Sequence, residues 1–159
     1  MVSSMITGSI LAKYEAAFAV IPLLVTFIPM LTDTGGNAGS QSSTMIIRGM
    51  AVGEIEARDI LRVLWKELRV GVIVGVLLGL VNYVQLVVRF PGQEMLCLTV
   101  VLSLLATVML AKTIGCVLPI VAQVLHLDPA IMAAPLITTI VDAVSLIIYF
   151  QLACSLLKI

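Results

Sequence analysis

Charge is scarce in this chain of 159 residues: only 11% of its positions are Asp, Glu, Lys or Arg. Soluble domains carry about 25%. Apolar residues make up 61%, and the mean hydropathy is +1.20. A soluble fold of this size would have too little polar surface to cover itself, which excludes an ordinary soluble enzyme and leaves an all-α integral membrane protein. Nine basic residues balance nine acidic ones, so no net charge points to nucleic acid. Cysteine is limited to Cys97, Cys116 and Cys154, far apart in apolar runs, without metal-ligand spacing and odd in number. They read as small core residues, not a disulfide framework. His126 is the single histidine, so no transition-metal site is implied. No His-Asp pair suited to an intramembrane protease is present.

What is there is a series of long uncharged stretches. A helix needs roughly 20 apolar residues to cross a hydrocarbon core. Four segments qualify: 16–47, interrupted by Asp33; 70–88, without charge; 95–125, broken by Lys112; and 129–157, broken by Asp142. Residues 1–13 are too short to cross and carry no basic leader or clear cleavage site, so they read as the end of a further helix, truncated at its start. Lys13-Tyr14-Glu15 and the cluster Arg89 to Glu94 punctuate the chain. Asp128-Pro129 is a helix start, with proline at a position that needs no N–H.

Segment 48–69 holds Arg48, Arg58, Arg62, Lys66 and Arg69. The positive-inside rule therefore makes it cytoplasmic, together with the 126–128 link, and puts the C-terminus outside. Its mixed charges predict a solvated, amphipathic connection at the interface. Trp65 and Tyr83 read as interfacial or packing aromatics. Gly71, Gly75 and Gly79 form a G-x-x-x-G-x-x-x-G ridge, the mark of a close helix–helix contact, with a subunit interface as one candidate location.

Ionisable residues inside the bilayer are costly and generally face a cavity or a partner. Asp142 shares a helical face with Thr138, Thr139, Ser145 and Tyr149. Asp128 lies fourteen residues earlier on nearly the same stripe, roughly 21 Å away at 1.5 Å per residue. That spacing suits a pore with one acid at its cytoplasmic mouth and one deep inside. The plainer alternatives are a helix cap for Asp128 and a structural pairing of Asp142 with Lys112. Lys112 itself is expected to snorkel or to pair with an acid. The run Thr32 to Thr44 is polar and rich in small residues, following an apolar stretch with Pro22 and Pro29. If helical, it places Asp33, Asn37 and Gln41 on one face; if partly unwound, its carbonyls can line a cavity. Small-residue packing explains its glycines but not its amides, and Gly-Lys-Ser/Thr is missing, so it is no nucleotide loop.

These residues carry a resemblance. Pro29-Met30, the run Thr34-Gly35-Gly36-Asn37-Ala38-Gly39-Ser40-Gln41-Ser42-Ser43-Thr44, Arg48-Gly49 and Gly53-Glu54-Ile55 resemble the MgtE family of magnesium channels. So do Asp128-Pro129-Ala130, Ala134-Pro135-Leu136-Ile137-Thr138-Thr139 and Asp142. The resemblance implies a homodimeric pore with five transmembrane helices per subunit, lined by the second and fifth, in the bacterial inner membrane. It implies that Asp142 and its symmetry mate hold a hydrated Mg²⁺, with Asn37 and Thr138 beside it. Gly36, Gly39, Gln41, Thr139 and Ser145 would line the path. The family's cytoplasmic N-terminal and CBS domains are expected to be absent from this piece, and with them the normal feedback. Not an enzyme, then, but a pore conducting Mg²⁺ inward down its electrochemical gradient is expected. A proton- or sodium-coupled carrier using Asp142, and a non-transporting scaffold held by the glycine ridge, are the rivals.

Overall fold

The computed structural model describes residues 2–158, with side chains for all of these except Val2, Ser3, Phe18 and 130–134. The described residues form six α-helices and two short 3-10 turns, with no β-strand among them. The helices are α1 (Val2–Lys13), α2 (Glu15–Val20), α3 (Ile28–Ala51), α4 (Ile60–Arg89), α5 (Glu94–Val124) and α6 (Pro129–Leu157). Three stretches are long and apolar enough to cross a membrane: Ala57–Arg89, Glu94–Val124 and Pro135–Leu157. With 24 residues, α3 has the length to cross, but its polar centre sets its composition apart from these three.

The segment expected as one crossing over 16–47 is broken. Proline cannot donate, and it drives the preceding residue out of helical geometry. Ile21 accordingly sits at φ −131°, ψ 85°, and Pro22–Phe27 form a 3-10 turn before α3 begins. Pro29 causes no second break, because it falls in the first turn of α3, where no N–H is called for.

The connection expected over 48–69 is much shorter. α3 runs to Ala51 and ends in a two-bond C-terminal closure. The Gly53 N–H donates to the Met50 carbonyl at 3.2 Å, and the Glu54 N–H to the Gly49 carbonyl at 2.8 Å. Gly53 takes φ +75°, a conformation other residues rarely adopt. A side chain at position 49 would collide with Ile55, which folds back there. The motif Arg48-Gly49…Gly53-Glu54-Ile55 is thus a helix stop. The Glu56 N–H then donates to the Asp59 carboxylate at 3.0 Å, and α4 starts at Ile60 instead of Val70. Arg62, Lys66 and Arg69 stay exposed along its first turns, while Glu67 turns inward and is only 4% exposed.

α5 is the central post: α3, α4 and α6 all pack on it, α3 also packs on α6, and α1 lies against α6. The glycine ridge of α4 meets α5 within the chain. A Cβ on Gly75 would lie 2.6 Å from Leu105, and one on Gly79 3.1 Å from Val101. The other side of α4 exposes Ile73, Leu77, Leu80, Val81, Val84 and Val88, the surface expected of a helix facing lipid. At the end of the bundle away from the basic loop, the Tyr149 hydroxyl donates to the Leu24 carbonyl at 2.9 Å, and Tyr14 stacks on Phe150 at 4.9 Å between centroids. At the basic end, Ile46, Cys116 and Ile120 pack with Met50, Ile55 and Ile60. All three cysteines are free, two buried and Cys154 partly so.

Candidate functional site

α3 has two unlike faces. Leu31, Gly35, Gly39, Ser42 and Ile46 follow one another at helical spacing and are all buried. This face is shaved down to hydrogen where it matters. A Cβ on Gly35 would come within 2.8 Å of both Thr107 and Val141, and one on Gly39 within 2.8 Å of Ile137. A Cβ on Gly115 of α5 would collide with the Gly39 main chain. The helices therefore approach almost backbone to backbone. That approach sets the polar face of α3 beside α6.

There a groove of about 420 Å³ runs between the two helices, lined by Pro29, Thr32, Asp33, Gly36, Asn37, Ser40, Thr138 and Asp142. It holds two carboxylates, an amide and three hydroxyls on the surface of an otherwise apolar bundle. Among the described residues no basic side chain lies within ion-pair distance of Asp33 or Asp142. The alternative that Lys112 pairs with Asp142 is overturned. Lys112 bonds Glu67 of α4 at 3.3 Å, in a buried contact joined by Ser42. Among the described residues no group of three His, Cys, Asp or Glu side chains stands ready to hold a metal ion. Such a wall suits an ion that keeps its waters and takes hydrogen bonds through them.

The residues expected at the site divide into three groups. Asp142, Asn37, Thr138 and Gly36 lie on the groove. Gly39 and Ser145 lie behind it, both buried, Gly39 against α5 and α6 and Ser145 against Gly35. Gln41 and Thr139 fall outside the groove lining, Gln41 exposed and Thr139 donating its hydroxyl to the Pro135 carbonyl at 2.8 Å. Thr138 donates to the same carbonyl at 3.1 Å. Asp128 is exposed at the start of α6, at the basic end of the bundle. Tyr149, on the Asp142 face by helical count, is fully buried. Thr32 and Ser40 carry no expectation from the sequence, and Asp33 is expected there on the polar face but without an assigned role; all three line the groove. Spacing carries the signal for them, since 33, 37 and 40 recur every three to four residues.

Comparison with known proteins covers the stretch of chain that forms this groove. The family described as MgtE, divalent cation transporter, matches residues 28–152, from the first residue of α3 almost to the end of α6. The chain belongs to the MgtE family. Among MgtE proteins, the magnesium transporter MgtE of Thermus thermophilus is 35% identical over 99% of the chain, and that of Bacillus subtilis 34% over 94%. The Enterococcus faecalis magnesium transporter MgtE is 29% identical over 97%. The chain spans about one third of the length of these curated relatives. Every residue of the groove falls inside the region matched to the MgtE family.

Proposed function

We propose that this chain forms one half of a Mg²⁺ pathway, completed by a second copy across a two-fold axis. The carrying observation is the groove itself, where Asp142, Asn37 and Thr138 stand together and, among the described residues, no basic side chain pairs with the acid. Two copies facing each other would bring two Asp142 carboxylates toward a divalent ion. A dication gains twice the Coulomb energy of a monovalent ion at the same distance. Mg²⁺ gives up water reluctantly, so the amide and hydroxyls act on its hydration shell and no ring of rigid oxygens is needed. The ion passes inward down its electrochemical gradient. Moving two charges is favoured by about 4.6 kcal/mol per 100 mV, with no nucleotide hydrolysed.

The family match and the magnesium transporters among its relatives support this reading. The cell membrane is its place. In the whole protein, cytoplasmic domains of the kind that would account for the relatives' greater length would supply feedback control. The test is Mg²⁺ uptake into liposomes under an applied potential. Asp142→Ala should abolish uptake while keeping wild-type helicity and elution. Undiminished uptake by that variant would end the assignment. Uptake that requires a proton or sodium gradient, and ignores voltage, would make it a coupled carrier.

A further inference from the structure

Two ionisable groups lie deep in the bundle and away from the groove, and the pathway does not use them. Glu67 of α4 and Lys112 of α5 are each about 5% exposed. They join Ser42 of α3 in one closed set of bonds. The Ser42 hydroxyl donates to Glu67 Oε2 at 2.5 Å, while Lys112 Nζ donates to the same oxygen at 3.3 Å and to Ser42 Oγ at 3.1 Å. Gly71, one turn after Glu67, leaves room for the lysine stem, since a Cβ there would sit 3.4 Å from Lys112 Cδ.

The place of this triad on α3 matters more than its charge. Ser42 continues the buried stripe of Leu31, Gly35 and Gly39. Two glycines seat that stripe closely on α5 and α6, but they offer no directional bond to resist small rotations. Yet rotation of α3 decides whether Asp33, Asn37 and Ser40 face the groove, because a single residue step turns a helix by about 100°. A buried polar bond between helices adds directional register to close small-residue packing.

The geometry points to Ser42, Glu67 and Lys112 as positioning residues that lock the rotation of α3 and thereby set how the groove meets its ion. This rests on the groove being the ion path. Ser42→Ala deletes the bonds from α3 and keeps the Glu67–Lys112 pair, so it should fold. Hydrogen bonds to charged groups are the stronger ones, so it should raise the Mg²⁺ concentration for half-maximal uptake by about tenfold and narrow the preference for Mg²⁺ over Ca²⁺. Lys112→Met should do the same more severely. The exchange Glu67→Lys with Lys112→Glu should bring both readouts back toward wild type. A role in stability alone would lower the yield or melting temperature of Ser42→Ala without moving either readout. Wild-type half-saturation and ion preference in Ser42→Ala would therefore overturn the inference, whatever Lys112→Met does. Asp142→Ala, run in parallel, separates the two failures. If it stays active, the groove is not the path; if it is silent while Ser42→Ala is normal, only the locking role is lost.

Discussion

Asp33 and Asp142 line the same groove from different helices, and neither has a basic partner among the described residues. Asp33 is the more exposed and lies toward the end of α3 remote from the basic loop, so in the proposed pathway its charge would act on an ion still carrying its full water shell. Asp33→Asn should weaken apparent Mg²⁺ affinity by a few-fold at low salt and less at 0.15 M, where charges more than about 8 Å apart are screened. Uptake titrations at two ionic strengths measure this. Asp142 and Asn37 were visible in the sequence because an acid or an amide inside an apolar helix stands out against its neighbours. Glu67 was not. It sits among Arg62, Lys66 and Arg69, and nothing local distinguishes a buried acid from a solvated one. Its partners are 25 and 45 residues away, a relation composition does not carry.

At the scale of elements, the long apolar helices were legible, the run 32–44 was open between a helix and a partly unwound stretch until the structure made it part of α3, and helix boundaries were less legible. Hydropathy marks where lipid-compatible residues run, so the charged turns before Val70 looked like a connection. Backbone bonding decides otherwise: the stop at Gly53 and the paired bonds around Glu56 end one helix and start the next within nine residues of Ala51. The break at Pro22 was written in the sequence as a proline, yet Pro29 is written the same way and breaks nothing, since it lies in the first turn of α3. Glycine positions now separate by role. Gly115→Ala forces a methyl into the Gly39 main chain and should cost about 1–3 kcal/mol, the range for overpacking. Gly36→Ala meets only Thr138 at 3.6 Å and should leave the melting temperature unchanged or slightly higher, because alanine suits a helix better by about 0.5–1 kcal/mol. Thermal unfolding in detergent compares the two.

At the scale of the whole molecule, the two long surfaces differ in kind. α4 turns valine, leucine and isoleucine outward, while α3 and α6 turn a polar groove outward. The proposed pairing joins copies through the second. In a Cys154→Ser background, Asn37→Cys should give a covalent dimer on mild oxidation in membranes, and Ile73→Cys, on the outward face of α4, should not. The reverse pattern would put the axis along α4. The groove's one-sidedness reaches further. A solitary copy in a bilayer would hold Asp33 and Asp142 against hydrocarbon, at about 2.5–3.5 kcal/mol for each ionised acid. Lipid thereby becomes the matchmaker: swelling the membrane with excess phospholipid should fail to divorce the twins, since every separated subunit would have to drag water in after it.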